Sequence, residues 1–211
     1  MNKLNNLISI VVPVYNESDS IRLLINEIIN VMKSHQLLFE LIIVNDGSVD
    51  STSNVLENLS LEIKQLTVIN LRKNYGQTAA LAAGFDHSNG DIIVTLDGDL
   101  QNDPNDIPKL ITNINEGYDL ICGWRFQRKD KLLNRRIPSQ IANRLIGNVT
   151  GIHLHDYGCS LKAFKHEIIK DIKLYGELHR FLPVLANIEG AKIKEIKVNH
   201  RSRKYGQSKY G

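Results

Sequence analysis

Two carboxylates one residue apart, Asp97 and Asp99, with the Gln101 amide two places further on, are the set in this chain best able to do chemistry. Their oxygens are hard donors, and such a set suits Mg²⁺ or Mn²⁺. It follows Ile92-Ile93-Val94-Thr95-Leu96, a short run rich in β-branched residues that reads as a strand buried on both faces. A strand ending in two carboxylates puts negative charge at the carboxyl edge of a sheet, where open α/β folds bind ligands. Gly98 is expected to supply the sharp bend that lets both carboxylates converge. An isolated Asp-Gly-Asp is as readily a polar turn. The ends of the other strands argue for a site.

Two earlier strands stop in a second polar group. Leu7 to Val14 runs through Pro13 into Tyr15, Asn16 and Glu17, and Leu38 to Val44 runs into Asn45-Asp46-Gly47-Ser48. In a parallel sheet these ends share an edge with Asp97 and Asp99. Asp46 can accept from the imide of a uracil or the amino group of another base. Tyr15 offers a stacking face, and Glu17 is placed to meet a ribose hydroxyl. Asp50 and Thr52 read as caps of the next helix. Neither a phosphate loop of the Gly-x-x-x-x-Gly-Lys type nor Gly-x-Gly-x-x-Gly follows the first strand, which disfavours P-loop phosphoryl transfer and dinucleotide redox chemistry.

The elements that must hold these residues alternate. A helix capped by Ser18 or Asp19 runs to about Ser34, with Ile21, Leu24, Ile25, Ile28 and Met32 on one stripe. A second helix opens at Asp50-Ser51-Thr52. Strands are predicted at Leu66 to Leu71 and Tyr118 to Gly123, and helices at Gln77 to His87 and Asp106 to Glu116. This rhythm predicts an α/β fold, a mostly parallel sheet flanked by helices. Beyond Trp124 it gives way to a basic helix over about Asn134 to Thr150, a strand at Gly158 to Phe164, two short helices and a strand at Lys192 to Val198.

Charge adds a direction. The 211 residues carry a net +3, and 42% are hydrophobic, enough for one large domain. Residues 125–144 and 192–211 each hold seven Lys or Arg against one acid, so together they carry +12 and the remainder −9. A basic face on an acidic body points to an anionic partner, and a nucleic acid is not the partner expected. Cys122 and Cys159 lack metal-ligand spacing, His153 and His155 lack a third ligand, and no signal peptide precedes the first strand. A reducing, cytoplasmic setting is expected. No apolar run reaches the roughly 18 residues of a membrane span.

Val12-Pro13-Val14-Tyr15-Asn16-Glu17, Asn45-Asp46-Gly47-Ser48-Val49-Asp50-Ser51-Thr52, Asp97-Gly98-Asp99-Leu100-Gln101 and Asp156-Tyr157-Gly158-Cys159-Ser160 together resemble the family 2 inverting glycosyltransferases. Within them the chain is most similar to the polyprenyl-phosphate glycosyltransferases, from residue 7 to the end. One departure is Asn45, where the family often has an acid; Asp46 is taken as the retained base reader. The resemblance implies a GT-A fold, with residues 1–124 as a nucleotide-sugar half and 125–211 as an acceptor half. It implies donor contacts from Pro13, Tyr15, Glu17, Asp46, Asp97, Gly98, Arg203 and Ser208 or Lys209. Asp97, Asp99 and Gln101 would hold Mg²⁺ or Mn²⁺ under the diphosphate, and Asp156 would lie on the acceptor side.

A lipid phosphate, with a second pKa of about 6, arrives as an anion and needs cations to align it more than a base to activate it. Arg125, at the end of the fifth strand, and Arg135 and Arg136, opening the next helix, can grip it at two points. Asp99, Arg125, Arg135, Arg136 and Asp156 are therefore the expected catalytic set. A same-fold enzyme acting on a polysaccharide or soluble acceptor would want a base in place of the arginines. A non-catalytic nucleotide-sugar-binding module would be free to lose Asp97, Asp99 and Gln101.

The basic loop Asn199 to Gly211 is expected to close over the diphosphate and to rest on anionic headgroups. In resembling proteins it leads into membrane helices. The 211 residues are thus expected to be a truncated catalytic domain, or one with a separate membrane partner, at the cytoplasmic face of the membrane. Any oligomer would form through membrane segments outside them.

Overall fold

The computed structural model describes residues 6–126 and 146–205. The first half alternates as expected: β1 (Ile8–Val14), α1 (Ile21–Ser34), β2 (Phe39–Asn45), α2 (Thr52–Glu62), β3 (Leu66–Asn70), α3 (Gln77–Asp86), β4 (Ile92–Thr95), α4 (Ile107–Asn115) and β5 (Leu120–Arg125). Helical residues 146–150 (α5) then lead through a loop to β6 (Lys162–Lys165) and α6 (His166–Lys170). A 3-10 turn at Leu178–Phe181, α7 (Leu182–Ile188) and β7 (Ile193–Val198) follow.

The seven strands form one sheet in the order β3-β2-β1-β4-β6-β5-β7. β1 pairs in parallel with β2 and β4, β2 with β3, and β5 with β7, whereas β6 is antiparallel to both its neighbours. Two reversals cancel, so β5 and β7 run the same way as β1 to β4. The carboxyl ends of six strands and the amino end of β6 therefore meet at one edge. That edge collects the loops after Val14, Asn45, Thr95, Arg125 and Val198, and the loop that enters Lys162.

β1 is buried along its whole length, because helices cover both faces of the sheet. Ile8, Ile10, Val12 and Val14 pack with Ile21, Leu24, Ile25 and Ile28 of α1, while Val11, Ile42 and Val44 meet Ala80, Leu81 and Phe85 of α3. Gly84 lets α3 lie close on the sheet: a Cβ there would collide with Val11 Cγ1.

The starts of α1 and β6 differ from the sequence expectation. α1 starts at Ile21, and neither Ser18 nor Asp19 is its N-cap residue. Ser20 precedes it, with a hydroxyl turned to Glu17 Oε2 (2.8 Å) and Gly98 O (3.0 Å). β6 begins at Lys162, four residues later than expected. Buried Lys162 places its Nζ against the carbonyls of Tyr157 and Cys159 and curls the preceding residues into a turn. The basic helix expected over about Asn134 to Thr150 lies outside the described residues except for 146–150.

Candidate active site

Asp97 and Asp99 leave β4 at the shared edge. Asp97 accepts from Gln77 Nε2 at 2.8 Å and from the Ser160 hydroxyl at 2.7 Å, so α3 and the loop before β6 both hold it. Asp99 Oδ1 accepts the backbone N–H of Gln101 at 3.0 Å. The left-handed residue of this turn is Leu100 (φ 63°), not Gly98. Gly98 is needed for space instead, since a Cβ there would lie 2.7 Å from Val14 Cγ1. Burial and the charge of Asp97 raise the Asp99 pKa to about 6, against the opposing Gln101 N–H and Arg203. Two neighbouring carboxylates held in that environment call for a cation. Their hard oxygens would suit a divalent ion, with the Gln101 side chain, whose amide donates to Arg201 O at 3.4 Å, as the further donor. Among the described residues no group of three or more His, Cys, Asp or Glu could hold a metal ion.

The loops after β1 and β2 are tied to one another. The Asn16 (φ 55°) N–H donates to Ser48 Oγ at 2.9 Å, and its Oδ1 accepts from Val49 N at 2.8 Å. The Glu17 N–H donates to Thr52 Oγ1 at 2.9 Å, while Asp50 Oδ1 accepts from Thr52 N at 2.9 Å. Thr52 thus joins the two loops and Asp50 closes the turn into α2. Asp46 is fully buried and accepts the backbone N–H groups of Tyr75 (2.7 Å) and Gly76 (2.9 Å), fixing the entry to α3. Asn45 donates to Ser53 Oγ and Asn70 Oδ1 at 2.7 and 2.8 Å, which a carboxylate at that position could not do. Pro13 is buried in β1, Tyr15 is half-buried just beyond it, and Glu17 is buried.

On the other side, Arg125 Nε lies 2.7 Å from Asp156 Oδ2 and its second guanidinium nitrogen 2.8 Å from Oδ1. This two-point pair raises the Arg125 pKa even though burial works the other way. Two of the five Arg125 guanidinium N–H donors serve Asp156. Gly158 leaves room for the guanidinium, 3.3 Å from where a Cβ would stand. His155 stacks on Trp124 with centroids 4.0 Å apart, and Lys197 lies over the Trp124 and Phe126 rings. Burial pushes the thiols of Cys122 and Cys159 up to about 12 and about 11, so both stay protonated packing groups.

The chain after β7 crosses the same edge. Asn199 N–H donates to Asp106 Oδ2 at 2.7 Å and Arg201 N–H to Gln101 O at 2.8 Å, and Arg201 pairs with Glu27 (2.6 Å) and Asp103 (2.8 Å). Arg203 then reaches Asp99 Oδ2 at 2.6 Å and Glu17 Oε1 at 3.7 Å. The edge therefore gathers Glu17, Asp46, Asp97, Asp99, Gln101, Arg125, Asp156 and Arg203. Arg135, Arg136, Ser208 and Lys209 lie outside the described residues.

Sequence reasoning passed over Gln77, Ser160, Glu195 and His179. Ser160 stood inside a motif already quoted. The others carry no local signal, because their partners lie 20 to 101 positions away: Asp97 for Gln77, Asp156 for Glu195, and Thr78 for His179 at 2.6 Å.

The seven-stranded, mostly parallel sheet and its flanking helices make a GT-A type glycosyltransferase fold. The profile of "Glycosyl transferase family 2" matches residues 9–173, and the chain belongs to that family. A dodecaprenyl-phosphate galacturonate synthase of Rhizobium johnstonii is 47% identical over 208 residues, covering 97% of this chain and 62% of that protein. An undecaprenyl-phosphate 4-deoxy-4-formamido-L-arabinose transferase of Shewanella sediminis is 41% identical over 207 residues, covering 98% of this chain and 62% of that protein. The chain thus spans less than two thirds of the length of these relatives. Among solved structures, glucosyl-3-phosphoglycerate synthase from Mycobacterium tuberculosis, in complex with Mn²⁺ and uridine-diphosphate-glucose, superposes with TM-score 0.72 at 21% identity, covering 96% of this chain and 72% of the other. That likeness speaks for the fold.

Proposed function

We propose that the chain is the catalytic unit of a metal-dependent inverting glycosyltransferase. It moves a hexose-type sugar from a nucleotide-sugar to a polyprenyl phosphate, with a UDP-sugar as first choice of donor and GDP-mannose as second. The carrying observation is that one sheet edge joins the Asp97–Asp99 carboxylates to an arginine locked by Asp156. Ser160, in the loop that presents Asp156, donates to Asp97, and the Asp97 charge acts on Arg125. The two relatives' names share a polyprenyl phosphate and differ in the sugar, which supports the acceptor class and leaves the sugar to the assay.

In this reading the donor lies over residues 1–124. Tyr15, Glu17 and the loop fixed by Asp46 line the nucleoside, and Asp97, Asp99 and Gln101 would hold Mg²⁺ or Mn²⁺. When bound, that ion neutralises the departing diphosphate as a Lewis acid. Arg125 uses its remaining N–H groups on the acceptor phosphate, with Arg135 and Arg136 as further cations. Asp156 orients Arg125 and offsets its charge, and takes no proton, because a phosphate monoanion or dianion is already nucleophilic. The lipid acceptor would meet the chain at a membrane surface. Among the described residues, no helix is long and apolar enough to cross a membrane.

Thermal-shift measurements with UDP-, GDP- and CDP-sugars, each with and without Mn²⁺, test the donor side. A rise in Tm that needs both a nucleotide-sugar and Mn²⁺, and is lost in Asp99→Ala, is the expected result. No rise with any donor would refute it.

A further inference from the structure

Asp97 and Asp99 stand where a divalent ion is expected, and a cation of the chain itself already lies against Asp99. Arg203 lies 2.6 Å from Asp99 Oδ2 and 3.7 Å from Glu17 Oε1, bridging the turn after β4 and the entry to α1. Its side chain is 22% exposed and that of Asp99 10%, so water screens the contact only partly. A guanidinium at that distance occupies one of the oxygens a divalent ion needs, and its charge repels the ion.

Up to residue 201 the strap after β7 is fastened by Asn199 to Asp106, by the bridge between His200 and Asn102, and by Arg201 to Gln101 O, Glu27 and Asp103. Residues 202–205 adopt neither helix nor strand. A rotation within residues 202–205, with 199–201 anchored, would carry Arg203 away from Asp99.

We propose that Arg203 is a resident counter-cation that exchanges with the divalent ion: it holds Asp99 while the site lacks metal, and metal entry transfers it to the donor diphosphate. This inference rests on the reading of Asp97, Asp99 and Gln101 as the metal ligands. Its consequence is ordered, coupled binding. Metal alone must displace an ion pair and binds weakly, whereas metal arriving with a diphosphate gives Arg203 a new anion. The same residue thus opposes metal in the empty enzyme and supports it in the loaded one.

The test is Mn²⁺ binding to the protein without nucleotide, read by electron paramagnetic resonance, for wild type, Arg203→Gln, Arg201→Gln and Asp99→Asn. Loss of a charge-assisted contact should make Arg203→Gln bind Mn²⁺ about tenfold more tightly. Arg201→Gln removes the same charge from the same strap without touching Asp99, and should leave the affinity unchanged. UDP should strengthen Mn²⁺ binding in wild type by a larger factor than in Arg203→Gln. Hydrogen exchange at residues 202–205 should rise when Mn²⁺ is added to wild type, with 199–201 unaffected. Equal or weaker Mn²⁺ binding by Arg203→Gln, while Asp99→Asn abolishes it, would overturn the exchange and leave the metal site standing. Wild-type Mn²⁺ binding by Asp99→Asn would remove the metal reading and the exchange with it.

Discussion

The Glu195 carboxylate accepts the backbone N–H of Asp156 at 2.9 Å, so a residue of the outermost strand β7 sets the acid that locks Arg125. Its other oxygen takes the His155 N–H at 3.0 Å and the His155 ring Nδ1 at 2.7 Å. Strand β7 thereby contributes to both sides of the edge, through Glu195 to the Asp156–Arg125 pair and through the segment after Val198 to Asp99.

Removing the acid of this pair should be costly. The Arg125 and Asp156 side chains are 14% and 7% exposed, so Asp156→Ala strands a nearly buried guanidinium. A loss of about 3–5 kcal/mol in unfolding free energy is expected. Glu195→Gln keeps the shape and weakens the grip on Asp156. It should raise KM for polyprenyl phosphate and leave donor affinity intact. Equal loss of donor affinity in Glu195→Gln would place this cluster on the wrong substrate.

Asp46 acts through backbone that it holds. Asp46→Ala releases the Tyr75 and Gly76 N–H groups at the start of α3, at a cost of about 1–3 kcal/mol for the groups left unmatched. Because α3 also carries Gln77, which holds Asp97, nucleotide-sugar affinity should fall along with Tm. Calorimetric titration with the donor identified by thermal shift checks this. Full affinity in a folded Asp46→Ala protein would take Asp46 out of the donor site.

His179 supplies a pH signature. Burial lowers its pKa from the usual 6.5, with Arg180 and Lys162 acting the same way and Glu177 opposing. Below 6.5 the unfolded chain takes up a proton that the folded imidazole resists, so stability drops as pH falls from there through the lowered folded value. His179→Gln should flatten that slope and keep a hydrogen bond to Thr78. Comparing Tm at about pH 7.5 and about pH 5.5 in both proteins decides it. Parallel slopes would show that His179 does not titrate in this way.

The sheet could be read from the sequence because its strands are continuous apolar runs and its helices carry apolar stripes, as β1 and α1 do. The edge residues were legible where a motif sits directly at a strand end, as Asp46, Asp97 and Asp99 do. The course of residues 156–161 was not, because it depends on where the Lys162 ammonium finds its carbonyls. Nor was the bridge from Arg203 to Asp99, which spans 104 positions and is fixed by the strand order. Gly98 was chosen for its conformational freedom and is needed for its lack of volume; only packing against Val14 shows that.

The most direct measurement is of the product. A short-chain polyprenyl phosphate is incubated with Mn²⁺ and each nucleotide-sugar of the panel, and the lipid is analysed by mass spectrometry. The account predicts that one donor adds a single sugar to the phosphate. It also predicts no addition to the matching polyprenol, and a yield reduced by about 10²-fold or more in Asp99→Ala. Transfer to the polyprenol in place of the phosphate, or an undiminished yield in Asp99→Ala, would contradict it.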